Sequence, residues 1–66
     1  MKVKVNNKEM ELDPSITLHQ LAIQLELPDK GIAIAVNNKM ISRSEWESFF
    51  VQANDAIIII KAACGG

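Results

Sequence analysis

The chain is short of nearly every residue type that does chemistry. It has one cysteine, Cys64, one histidine, His19, and no tyrosine. A single cysteine closes no internal disulfide, and one Cys with one His falls short of the ligand set of a structural zinc site. A reducing compartment fits that usage. Of its three glycines, Gly31 stands without the second glycine and the lysine of a phosphate-cradling loop, so the chain is not expected to bind ATP unaided. His19 falls at the second position of an expected helix, where an exposed or capping role is commoner than catalysis. An active site needs convergent polar groups in a pocket, and the sequence does not supply them. The chain is therefore read as something other than an enzyme.

Charge of one sign is lacking too. Seven Lys and Arg are interspersed with eight Asp and Glu, for a net charge of −1, which removes the basic footprint that phosphate-backbone binding requires. Nucleic acid is excluded as an expected partner. No apolar run approaches the roughly 20 residues that span a bilayer, and nothing resembling a cleavable leader precedes the alternating segment Lys2-Val3-Lys4-Val5. The expectation is a cytoplasmic protein without a membrane partner.

What is present is aliphatic. Of the 66 residues 48% are apolar, yet the aromatics are one Trp and two Phe, so Val, Ile, Leu, Ala and Met must build the core. That composition belongs to a globular chain, and its length allows one small domain. Val3 and Val5 alternate with lysines, Met10 and Leu12 alternate with glutamates, and Asn6-Asn7 lies between. Asparagine tolerates positive φ better than other non-glycine residues, so this reads as a hairpin with a primed turn. Asp13-Pro14-Ser15 breaks the pattern. Thr17 with Gln20 then forms a capping-box spacing ahead of Leu18, Leu21, Ala22 and Leu25, and Ile16 with Leu21 suits a hydrophobic staple. Leu27-Pro28 is expected to end that helix.

The stretch Ile32–Val36 is apolar on both faces, with its alanines on one side, and Asn37-Asn38 repeats the turn signal before a short return strand, Lys39-Met40-Ile41. Ser44 with Glu47 repeats the capping-box spacing and predicts one short helical turn around Trp46, with Phe49, Phe50 and Val51 closing the bottom of the core. After a turn at Asn54-Asp55 comes Ile57–Ile60, apolar at every position, the pattern of a strand covered on both faces. Setting this last strand at the centre, parallel to the first, gives an α+β fold: a mixed sheet of four to five strands over one helix, the β-grasp arrangement. The expected organisation is a β-grasp domain over 1–61 and a flexible tail over 62–66. Ile57 and Ile59 are expected to face the helix. Ile58 and Ile60 would face the open side of the sheet as a docking surface, unless Phe49, Trp46 or a second copy of the chain covers them.

The chain ends in Gly65-Gly66. One reading is a frayed terminus. The other is chemical: glycine has no Cβ, so the end can run extended through a narrow slot and leave its terminal carbonyl open to attack. A carboxylate is a poor electrophile until its oxygen is made a leaving group. Adenylation does that, with ATP and Mg²⁺ held by a partner enzyme, and a sulfur nucleophile can then displace AMP to leave a thiocarboxylate at Gly66. Gly65 would serve access. Cys64 has two readings, a small residue tolerated in a tail or an internal trap for the activated carbonyl, the second requiring a small ring strained by its trans peptides.

The segments Gly31–Asn37, Ser42-Arg43-Ser44-Glu45-Trp46, Asn54-Asp55 and Gly65-Gly66 together resemble the ThiS family of sulfur carriers over the whole chain. Ser42 stands where that family often has proline, and Asn54 where it often has glycine, so Asn54 must accept a conformation glycine adopts more readily. The resemblance implies a ubiquitin-like β-grasp fold and adenylation of Gly66 by a ThiF-type enzyme. It further implies a thiocarboxylate formed with sulfur from a donor protein and delivery to thiazole synthase, ThiG, for the thiazole of thiamine. Arg43 and Trp46 match the family segment without a role attached. Trp46 is expected to pack against the last strand and Arg43 to make a surface ion pair. Arg43 joins Ile58 and Ile60 as a candidate partner-contact residue. A small subunit of molybdopterin synthase and a ubiquitin-like modifier share fold and tail and stand as alternatives.

Overall fold

The computed structural model describes residues 1–28 and 30–61. Five strands form one sheet: β1 (Lys2–Val5), β2 (Lys8–Glu11), β3 (Ile32–Val36), β4 (Lys39–Ile41) and β5 (Ala56–Lys61), in the spatial order β2-β1-β5-β3-β4. One helix, α1 (Leu18–Gln24), lies between the two hairpins in sequence. β5 is parallel to β1 and antiparallel to β3, so the last strand made completes the sheet at its centre. A parallel pair needs a crossover, and everything from β2 to β4 supplies it. The mixed sheet over a single helix is the expected ubiquitin-like β-grasp.

Both hairpins close on asparagine pairs. Asn6 and Asn7 have φ of 52° and 69°, and Asn37 and Asn38 have 51° and 69°. Positive φ at both central residues is what a type I′ turn demands, and its twist matches that of the flanking strands. The helix begins as the sequence indicates: the Thr17 hydroxyl accepts the Gln20 N–H at 3.1 Å while the Gln20 side chain accepts the Thr17 N–H at 2.9 Å. Ile16 and Leu21, the staple pair, are both buried.

Leu18 and Leu21 of α1 are fully buried with Ile34 and Ile57 of the sheet, and Val3, Val5, Leu12, Ile16, Val36, Ile41, Trp46 and Val51 complete the cluster. The polar groups left in it are partnered: the Trp46 indole N–H donates to the Ile41 carbonyl at 3.2 Å, and no buried side-chain N or O among the described residues lacks a hydrogen bond.

Three local expectations are corrected. The helix ends at Gln24, three residues before the Leu27-Pro28 step. Glu26 takes φ 55°, its N–H donates to the Ile23 carbonyl at 3.0 Å, and the Leu27 N–H reaches back to the Ala22 carbonyl at 3.0 Å. That is a Schellman closure with glutamate where glycine is usual, so the stop comes from the backbone before proline is reached. The short turn after β4 is a 3-10 helix over Arg43–Glu45 with Ser42 at its N-cap and no side-chain cap bond, so the Ser44–Glu47 box does not form. Finally, Phe50 is 51% exposed. Residues 49–51 run extended beside the helix entry, with the Leu18 N–H donating to the Phe49 carbonyl and the Val51 N–H to the Ile16 carbonyl. Alternation along that segment turns Val51 inward and Phe50 out.

Two outcomes follow. Replacing Glu26 by glycine relieves an L-residue held at positive φ and is expected to raise the urea midpoint, with unchanged m, by the equivalent of about 0.5–1 kcal/mol; an unchanged or lowered midpoint would contradict the closure described. At the sheet edge the Met1 ammonium donates to the Leu12 carbonyl at 2.6 Å and pairs with Glu11 at 2.7 Å, which holds the Glu11 carboxyl below its ordinary range. A lowered folded-state pKa adds stability above the unfolded pKa and loses it as pH falls through the folded one. Glu11→Gln should therefore be less stable than the parent at neutral pH and equal to it in acid, as read by thermal melts across pH.

Candidate functional site

The last described strand, β5, carries the chain from the core to Lys61. Its ladder with β3 is continuous, from Val36↔Ile57 through Ile34↔Ile59 to Ile32↔Lys61, while its parallel ladder with β1 is short, Lys4↔Ala56 and Val5↔Ile57. The start of the strand is tied by Asp55, whose carboxylate accepts the Gln52 N–H at 2.8 Å and the Asn37 side-chain amide at 3.0 Å. Asn54 stands at φ 70°, the conformation the sequence required of it.

Side chains of β5 divide by parity. Ile57 is fully buried and Ile59 packs against the same core. Ile58 is half-buried and Ile60 is 49% exposed on the opposite side of the strand. In register, Ile60 lies opposite Ala33, and Ala35 lies between Ile58 on one side and Met40 on the other. Positions paired this way share a face. The open face therefore carries Ile58, Ile60 and Met40 around two small alanines, with Met40 59% exposed. Met40 is the member of this patch that the sequence reading passed over; its place opposite Ala35 in a two-residue hairpin register was the available signal. On the β1–β2 half the same face turns ionic, with Lys4 opposite Glu9 and Lys2 opposite Glu11. Trp46 and Phe49 join the core beneath the sheet, so neither covers Ile58 and Ile60.

Arg43 is not brought to this patch. Its guanidinium lies 4.8 Å from the centre of the Trp46 ring, a cation–π contact. With His19, Ala22, Ile23, Leu27 and Pro28 it lines a small notch of about 60 Å³ beside the helix. His19 is exposed, with Nε2 3.8 Å from Glu47. Among the described residues no three His, Cys, Asp or Glu side chains group as a metal site, and no helix is long and apolar enough to cross a membrane. Cys64, Gly65 and Gly66, with the proposed tail over 62–66, lie outside the described residues.

The two sides of β5 should respond differently to substitution. Ile57→Ala is expected to cost about 2–5 kcal/mol in urea unfolding, a large share of a small domain's stability. Ile60→Thr keeps the branched strand side chain and should cost less than about 1 kcal/mol. Equal losses would mean that both faces are covered.

The ThiS family model matches residues 3–66. The sulfur carrier protein ThiS of Escherichia coli strain K12 is 30% identical over 66 residues, covering the whole of both chains. The crystal structure of the thiamine biosynthesis protein ThiS from Geobacter metallireducens superposes with a TM-score of 0.85 over all of both chains at 22% identity, a likeness of fold. The chain belongs to the ThiS family.

Proposed function

We propose that this chain is a sulfur carrier protein that works through the carboxylate of Gly66 in making the thiazole of thiamine. The observation that carries the reading is the union of a family match reaching residue 66 with a Gly65-Gly66 pair that comes shortly after the central strand in sequence. In the proposed cycle a ThiF-type enzyme holds ATP and Mg²⁺. The Gly66 carboxylate attacks the α-phosphorus, pyrophosphate leaves, and the metal neutralises charge on the phosphate oxygens. A sulfur nucleophile from a donor protein then attacks the acyl carbon and AMP departs. With hydrosulfide as the simplest donor, one proton is released and the thiocarboxylate remains. Thiazole synthase, ThiG, takes the sulfur and returns the carboxylate. The chain is the substrate of each partner and holds no cofactor of its own, and a reducing cytoplasm suits both its lone thiol and the thiocarboxylate.

Docking falls to the open face. Ile58 and Ile60 of β5, with Met40 of β4, form an aliphatic patch on the open face of the sheet, a suitable seat for the activating enzyme. Arg43, beside the helix, would meet a different part of any partner.

Growth provides the test. In a host lacking its own carrier but holding the other thiamine enzymes, the full chain should restore growth without thiamine, and deletion of Gly66 should abolish it while thermal melting stays unchanged. Growth supported by the truncated chain, or none with the full chain beside competent partners, would overturn the assignment. Amide-linked conjugates in extract would point to a modifier instead.

A further inference from the structure

The parallel ladder between β1 and β5 stops early because Asn6 and Asn7 turn the chain back into β2. The Asn6 main-chain N–H still donates to the Ile57 carbonyl at 2.9 Å. A further rung would need a main-chain carbonyl opposite the Ile59 N–H. The Asn6 side chain supplies one in its place: its Oδ1 accepts the Ile59 N–H at 2.8 Å, across 53 positions of sequence. The second turn does the equivalent at the other end of the strand, where Asn37 Oδ1 accepts the Ala56 N–H at 3.0 Å and the Asn37 N–H donates to the Ala56 carbonyl at 2.8 Å. The two asparagines have almost the same φ, 52° and 51°.

Turn geometry alone does not explain an asparagine at position 6, because glycine takes positive φ with less strain. The amide oxygen does. Beyond Ile57, β5 has β3 along one edge, and Asn6 adds a hold on the other edge two residues before Lys61. We propose that Asn6 is a positioning residue for the C-terminal segment: it lengthens the β1–β5 ladder by one side-chain rung and fixes the direction in which the chain leaves Lys61 toward Gly65-Gly66. This rests on the reading of Gly66 as the carboxylate that a partner enzyme activates. A partner that threads an extended end must freeze whatever freedom remains at its root, and an exit already held lowers that cost. The gain belongs to binding, so it appears in KM and not in kcat.

Three variants separate positioning from general stability. Asn6→Gly keeps the turn and removes the acceptor, Asn6→Asp keeps an acceptor and tolerates the same φ, and Asn37→Gly removes the equivalent clamp at the far end of the strand. Amide exchange of the full chain, under conditions where global unfolding is not limiting, should be faster at Ile59 in Asn6→Gly on the order of five-fold, the loss of one ordinary hydrogen bond. Pyrophosphate exchange with a ThiF-type enzyme, ATP and Mg²⁺ should show KM raised to a similar degree with kcat unchanged. Asn6→Asp should restore both readouts, and Asn37→Gly should loosen the Ala56 amide with KM near that of the parent. Unchanged exchange at Ile59, unchanged KM in Asn6→Gly, or an equal KM rise in Asn37→Gly would overturn the proposal. Failure of the unaltered chain to be activated at all would instead defeat the functional reading, and the exchange measurement would still decide whether the clamp exists.

Discussion

The fold depends on the insertion of β5 between β1 and β3. Without it the molecule is two separate hairpins and a helix, since no strand of the first hairpin pairs with one of the second. Ile57, with no exposed surface, joins Val3 and Val5 on one side to Ile34 and Val36 on the other beneath Leu18 and Leu21. The contacts that close the core are therefore the ones most distant in sequence, and loop-closure entropy is spent before they form. The same arrangement makes the inserted strand, paired along both edges, the one that carries the chain to Lys61. Closure of the core and the course of the chain as far as Lys61 are two consequences of one insertion.

A chain this small has little apolar area to spare, yet it holds several non-glycine residues at positive φ. The four asparagines of the two turns occupy it with modest strain, and Asn6 and Asn37 return hydrogen bonds to β5 from their side chains. Ser15, at φ 67° after Pro14, and Glu26, at φ 55°, return no such bond from theirs among those described. Ser15 fits the third position of a type II turn, where glycine sits more easily. Strain at these loops is set against the tight closure of a single helix on a single sheet.

Much of this was legible in the sequence because local signals and long-range packing agree. Asn6-Asn7 and Asn37-Asn38 mark the turns, Thr17 with Gln20 marks the helix start, and the unbroken Ile57–Ile60 run marks the central strand. The errors arise where two local rules compete or tertiary pairing overrides one. Proline at position 28 is a visible stop, but the backbone closes the helix through Glu26, whose side chain does not advertise a left-handed conformation. Ser42 and Ser44 are equally good cap residues, and the geometry of the chain leaving β4 selects the first. Phe50 faces outward because its neighbours pair with the helix entry, a partner invisible to periodicity. The open-face pair Ile58 and Ile60 followed from parity alone, whereas the addition of Met40 required the β3–β4 register.

The proposed conversion of the Gly66 carboxylate by a partner is the central claim, and intact mass tests it most directly. Exchanging one carboxylate oxygen for sulfur adds about 16 Da, nominally the same as one oxidation step on a cysteine, so Cys64 must be replaced by serine for an unambiguous reading. After incubation of Cys64→Ser with a ThiF-type enzyme, ATP, Mg²⁺ and a sulfur donor, high-resolution mass spectrometry should find the oxygen-to-sulfur increment on the C-terminal fragment containing Gly66. An unshifted Gly66 fragment, while the same enzyme and donor convert an authentic carrier, would contradict the account.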